Sequence, residues 1–232
     1  MKIAIMQPYF FPYIGYFQLM AVVDEFIILD DVNYIKRGWI NRNRILLDGK
    51  EKYITKPIRG ASQNKLIKDL QFVDDAVYSE NMLRTISYAF RKSAFYLESE
   101  ELIRDIILNP ELKVVDYLEY SLTRLSEKLG INVKISRASA YRNMIHSSGQ
   151  EGIIELCKIL GCESYFNAIG GKKLYDNGSF LSEGIKLNFV KTNFEKMKAI
   201  SKSGFLEYSI LEMMADHEIE VVKDLLTCFD VI

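Results

Sequence analysis

The chain has 232 residues, 49% hydrophobic and 26% charged, with a formal net charge of −1. That length admits one large domain or two small ones with a substantial core, and the near-neutral balance argues against a dedicated nucleic-acid binder, which carries a strong basic excess. No apolar run approaches membrane-spanning length and no leader-like pattern opens the chain, so a cytoplasmic protein is expected, its oligomeric state left open.

The first 44 residues carry the densest signal. Ile3–Met6 is a short apolar run suited to a strand buried on both faces. Pro8 and Pro12 bracket an aromatic turn, and Gly15 admits a close backbone approach. Ile14–Val23 has near-helical apolar spacing, and Phe26–Leu29 is a second strand-like run ending at Asp30 and Asp31. A strand–helix–strand unit this compact implies a right-handed crossover and a parallel sheet. Ile45–Leu47 and Tyr53–Ile58 flank Asp48-Gly49-Lys50 as a hairpin, and residues 60–65 read as a loop.

A helical block follows at about residues 79–130. Met82, Leu83, Ile86 and Phe90 form one stripe, with Ser79 as its candidate N-cap. Leu112, Val115, Leu118, Leu122, Leu125 and Leu129 form another that stops at Gly130. Val133–Ile135, Ser164–Phe166 and Leu187–Val190 are further strand candidates. Ser148 and Glu151 have capping-box spacing before a helix that ends near Leu160. Cys157, Cys162 and Cys228 stand at unrelated spacings in apolar surroundings and read as core thiols. Helices near Leu206–Met214 and Ile219–Phe229 close the chain. The architecture expected is a single α/β domain spanning 1–232, with a Rossmann-like parallel sheet, a helical insertion and C-terminal helices. Its ligand cleft would lie between the carboxyl edge of the sheet and the helical block.

Several groups carry potential chemistry. Tyr34–Arg44 holds Lys36, Arg37, Arg42 and Arg44 with no acid among them. If Trp39–Arg44 is extended, Trp39, Asn41 and Asn43 share one face, and Arg42 and Arg44 lie on the other, suited to phosphate or carboxylate. A solvated basic edge strand is the bland alternative. Asp30 or Asp31, at a strand end, can hold a metal, orient a hydroxyl or accept a proton; a simple turn role is the alternative. Gln7 directly follows a buried strand and either bonds backbone or faces the site. Most rings between Tyr9 and Phe17 read as core. Gly170, Gly171 and Lys172 could cradle a phosphate, though a tight turn is the commoner role and there is no Walker motif. Lys196–Ser203 superficially matches the ATP-binding loop of class I synthetases, with imperfect spacing. His146 and His217 are far apart, with no nucleophile evident beside either.

These residues together resemble the WbqC-like family. The segments that carry the resemblance are Gln7–Phe17, Leu29–Ile45, the stretch around Ser164–Asp176, and Phe205–Met214. Two departures stand out: Gln18, where many relatives carry His, and His217-Glu218, where a Gly is expected before the last helix. The resemblance implies a role in synthesis of O-antigen and other bacterial surface polysaccharides, by transfer of glycine or a similar amino-acid group onto a sugar. A more distant resemblance links Tyr13, Gly15 and Tyr16 to the HxGH region of nucleotidylyltransferase-like enzymes. It implies a site where ATP with Mg2+ would activate a carboxylate as its adenylate. Tyrosines replace both histidines here, so the basic run Lys36–Arg44 would have to supply positive charge. On this reading Arg37, Arg42 and Arg44 bind phosphates or a carboxylate. Asp30 or Asp31 takes a proton or holds Mg2+, while Gln7 and Asn41 orient a nucleotide sugar and an amino acid. The alternatives are acyl transfer from a thioester or charged tRNA, and a non-catalytic nucleotide-sugar-binding module.

Overall fold

The computed structural model of the chain describes residues 1–201 and 207–232. It opens with β1 (Lys2–Met6), α1 (Ile14–Ala21) and β2 (Glu25–Ile28). A long excursion follows, made of an antiparallel hairpin, β3 (Arg42–Leu47) and β4 (Lys50–Thr55), and three helices, α2 (Ala76–Phe90), α3 (Leu97–Leu108) and α4 (Val114–Lys128). Alternation then resumes through β5 (Lys134–Arg137), α5 (Gly149–Ile159), β6 (Ser164–Ala168), α6 (Asn177–Ser182), β7 (Lys186–Thr192) and α7 (Phe194–Ile200). Helices α8 (Ile210–Asp216) and α9 (Ile219–Leu225) and the short β8 (Phe229–Val231) complete it.

The main sheet has the order β5-β2-β1-β6-β7-β8. Every pair is parallel except β7 with β8. From β1 the chain moves outward through β2 to β5, then returns to the other side of β1 and moves out through β6 and β7. The direction of winding therefore reverses between β1 and β6.

The continuous apolar character of β1 follows from its place at the centre. Ile3 and Ile5 belong to a core on one face with Leu156, Tyr165 and Phe180, and Ala4 belongs to the core on the other face with Phe17 and Ile28. A strand covered on both faces has no polar side to display. The three-helix excursion packs into the second of these cores, and its stripe Met82, Leu83, Ile86 and Phe90 is buried as the spacing predicts. Arg137 on β5 ties α4 to the sheet through Asp116, 2.5 Å away, and Glu119.

Some local expectations need correcting. The N-cap of α2 is Asp75, four residues before the expected Ser79, and its carboxylate accepts from Tyr78 N at 2.9 Å. The capping box at Ser148 does not form; Glu155 instead accepts from Ser147 Oγ at 2.6 Å and His146 N at 2.7 Å. The hairpin turn at Asp48 and Gly49 has φ of 49° and 75°, the left-handed pair a two-residue β-turn requires. The first predicted residue of the closing helix, Leu206, lies outside the described residues, as do the last two of the Lys196–Ser203 loop.

Candidate ligand cleft

A cleft of about 750 Å3 opens where the winding reverses, outside the carboxyl ends of β1, β6 and β7. Ligands in open parallel sheets sit at that crevice because strand ends there diverge and leave room. One wall is the end of β1 and the aromatic loop, with Gln7, Tyr9, Pro12 and Tyr13. The opposite wall is the end of β6 and the turn after it, with Asn167, Gly170 and Gly171; Lys191 and Thr192 at the end of β7 form the floor. Ile35 and Trp39 close the mouth from the excursion, and Glu207 approaches from the segment before α8. No residue of α2, α3 or α4 lines the cleft, so its expected place against the helical block is corrected: the loops that follow β1 and β2 fill that space instead.

The aromatic loop is held in a strained shape. Phe11 has φ of 43°, left-handed and costly for a ring-bearing residue. Asn43 Nδ2 donates to Phe10 O at 3.0 Å and Phe11 O at 2.7 Å, and Ser209 Oγ donates to Phe11 O at 2.9 Å. Tyr16 donates its hydroxyl to Gln7 O at 2.9 Å. Gly15 permits the rest: a Cβ there would sit 2.4 Å from the Tyr13 ring and 2.6 Å from Thr192 Oγ1. Burial pushes the Tyr9, Tyr13 and Tyr16 hydroxyls above their usual range, and Glu207 adds to the effect at Tyr13. All three stay neutral phenols at physiological pH.

The sequence-derived candidates divide sharply. Gln7, Trp39, Asn43, Tyr13, Tyr16, Gly170 and Gly171 line the cleft. Asp30 does not: it is 1% exposed, and its carboxylate accepts from Ser139 N at 2.9 Å and Ser139 Oγ at 2.6 Å. It pins the segment after β5 to the end of β2. Asp31 is half-buried off the cleft. Asn41 is buried elsewhere, accepting from the Tyr34 hydroxyl at 2.8 Å and donating to Lys56 O at 2.9 Å. Arg42 donates to the carbonyls of Gly38, at 3.3 Å, and Arg37, and covers the Tyr53 ring, so its guanidinium braces the 35–38 turn. Arg44 pairs with Glu51 at 3.0 Å and lies against the rings of Trp39 and Tyr208. Lys36, Arg37 and Lys172 are exposed and do not line the cleft. The alternation of β3 thus sends Asn43 to the cleft, and the guanidiniums on its other face are spent on the protein itself.

Sequence reading missed Asn167, Lys191, Thr192 and Glu207. The first three obey the same rule that singled out Gln7, as polar residues at the carboxyl ends of strands, and could have been found by it. Glu207 has no such signal. Gln18, the departure from His, is wholly buried in the core and carries no proton toward the cleft. One further pairing was not expected: Ser201 Oγ lies 2.6 Å from His217 Nε2. Ser201 is 1% exposed, His217 is half-buried and neither lines the cleft, so this is a contact between the ends of α7 and α8.

The chain is a mixed α/β protein with a mostly parallel central sheet and a cleft at its winding reversal. The profile of the WbqC-like protein family matches residues 7–223, so this chain is a member of the WbqC-like family. It is also similar to an uncharacterised protein of Mycobacterium tuberculosis (strain ATCC 25618 / H37Rv), Rv1507c, at 27% identity over 191 residues, which cover 81% of each chain. No solved structure matches it. Among the described residues, no helix is long and apolar enough to cross a membrane.

Proposed function

We propose that this protein is an enzyme of surface-polysaccharide synthesis that joins an amino-acid group, such as glycine, to the amine of a nucleotide-linked amino sugar, forming an amide. The observation that carries this reading is the cleft at the winding reversal, large enough for a sugar and an acyl group together. In the reaction the sugar nitrogen attacks the acyl carbon, the bond from that carbon to the leaving group breaks, and the amine loses a proton. Glu207 is the one carboxylate lining the cleft among the described residues and is the group to receive that proton. Lys191, the one cation lining it among the described residues, would face the carbonyl oxygen as charge gathers there. Gln7 would orient the sugar, and Asn43 would hold the aromatic loop that shapes the wall beside it.

The strand order and the loop–helix entry after β1 are consistent with a Rossmann-like, nucleotidylyltransferase-like fold. Activation by ATP with Mg2+ nevertheless finds little support in the residues at hand. Asp30 is committed to Ser139, and no cluster of three or more His, Cys, Asp or Glu that could hold a metal occurs among the described residues. Inside the cleft a triphosphate would meet, among the described residues, Lys191 alone. The commitment of Asp30 to Ser139 and the lack of a metal-holding cluster among the described residues favour the second reading, a thioester acyl donor, in which the leaving group is a thiol.

The test is incubation of the protein with a UDP-linked amino sugar and either glycine with ATP and Mg2+ or a glycyl thioester, followed by mass spectrometry of the sugar. Amide formed from the thioester alone is the expected result. Amide formed only with ATP would restore the adenylate route. A nucleotide sugar that raises the melting temperature without turnover from either donor would replace the enzyme by a binding module.

A further inference from the structure

Residues 34–69 hold ten lysines and arginines against three acids, in a chain whose net charge is −1. Three of the ten cations are consumed locally. Arg42 braces the 35–38 turn, Arg44 pairs with Glu51, and Lys56 is buried against the Phe72 and Tyr117 rings. Lys36, Arg37, Arg59 and Lys65 are exposed and make no ion pair among the described residues.

The backbone gathers these four. Residues 30–34 and 65–68 run side by side, joined by Tyr34 N to Lys65 O at 2.9 Å, Ile67 N to Val32 O at 3.0 Å and Lys68 N to Asp30 O at 2.9 Å. Lys65 Nζ reaches back over Gly60, next to Arg59 in the chain. Arg37 sits at φ 62°, a left-handed turn position that is uncommon for a long side chain and that the Arg42 guanidinium holds from below. Lys36 and Arg37 fall between Ile35 and Trp39, both of which line the mouth of the cleft. A cationic lip, joined to the cleft mouth through Lys36 and Arg37, therefore adjoins a cleft whose walls carry one cation and one acid among the described residues. Like charges held together at a surface repel one another, and an anion bridging them relieves that repulsion.

We infer that this lip, built from Lys36, Arg37, Arg59 and Lys65, is a pyrophosphate subsite that holds the charged part of a nucleotide-linked substrate outside the cleft while the uncharged part enters it. The assignment rests on the nucleotide-sugar reading above, but its chemistry can be tested apart from any turnover. The probes are inorganic pyrophosphate, a UDP-linked amino sugar and uncharged N-acetylglucosamine, titrated by calorimetry at low and high salt. The comparison is between the parent protein and a triple variant, Lys36→Gln, Arg37→Gln, Lys65→Gln, whose exposed positions leave the fold intact.

Pyrophosphate should bind the parent with an affinity that falls as salt rises. The triple variant should lose about tenfold or more in affinity for pyrophosphate and for the UDP sugar, since three modest surface charge contacts act together. Binding of N-acetylglucosamine should be unchanged. Absence of pyrophosphate binding in the parent, or triple-variant affinity within about twofold of the parent, overturns the lip. So does a loss that appears instead on Lys191→Gln, which would put the phosphates inside the cleft. If pyrophosphate behaves as expected but no amide forms from any donor, the enzymatic reading falls and the lip stands.

Discussion

Gln18→Ala is expected to destabilise the protein by roughly 3–5 kcal/mol, at the severe end for a single substitution. Gln18 is wholly buried. Its amide nitrogen donates to Leu225 O at 2.9 Å and Cys228 O at 3.1 Å, and its oxygen accepts from Thr192 Oγ1 at 2.8 Å. These three bonds fasten α1 to the C-terminal α9–β8 segment and to the floor of the cleft. Alanine removes all three bonds, each worth about 0.5–1.5 kcal/mol, and adds a cavity, while Leu225 O and Cys228 O keep their backbone donors Cys228 N, at 3.1 Å, and Asn193 N, at 2.9 Å. For a chain of this size a fall in melting temperature of about 10 °C or more follows. Differential scanning calorimetry reads it directly. A shift of only a degree or two would mean that the C-terminal segment is held by its apolar contacts alone.

The second large effect is a pH dependence centred on Glu212. This residue is 3% exposed, and burial pushes its carboxyl up to about 7; the backbone bond from Leu46 N, at 2.5 Å, works against that rise and nearby Asp216 adds to it. The folded protein therefore holds the proton more tightly than the unfolded chain. Its contribution is fully present below the ordinary carboxylate range, near 4.5, and is lost as pH rises through about 7. Glu212→Gln keeps an oxygen to accept from Leu46 and removes the ionisation. The variant should be more stable than the parent at pH 8 by about 2–3 kcal/mol and nearly equal to it at pH 4. Chemical denaturation at both pH values tests the sign. A variant less stable at pH 8 would show that the ionised carboxylate is stabilised in place.

Neither effect could be read from sequence, because each depends on partners more than 160 residues away. What was legible is local. The run Ile3–Met6, the turn signal Asp48-Gly49 and the stripe on α2 each specify their element through nearest neighbours and periodicity. Their bounds shifted by a residue or two, but the elements stood. Strand β8 was missed because three residues carry almost no periodicity, and an antiparallel edge gives no crossover to announce it. The site was half legible for a similar reason. Strand-end position found Gln7, and composition found the stretch Tyr34–Arg44. Composition alone, however, cannot say which way each cation turns. Asp30 looked like a strand-end carboxylate free for chemistry until Ser139, from the far side of the helical excursion, closed on both its oxygens. Arg42 and Arg44 looked like an anion site until the alternation of β3 aimed them at Gly38, Arg37 and Glu51. The lip became visible only when residues 65–68 were found beside residues 30–34.

Trp39 allows the most direct test of where ligand binds. It is the only tryptophan in the chain, and it lines the cleft mouth with the Arg44 guanidinium 5.7 Å from its ring centre. Titration with the UDP-linked amino sugar, followed by tryptophan emission, should give a saturable change with the same midpoint as calorimetric binding. Ligand that binds by calorimetry while Trp39 emission stays flat would place the site elsewhere and contradict the assignment of the cleft.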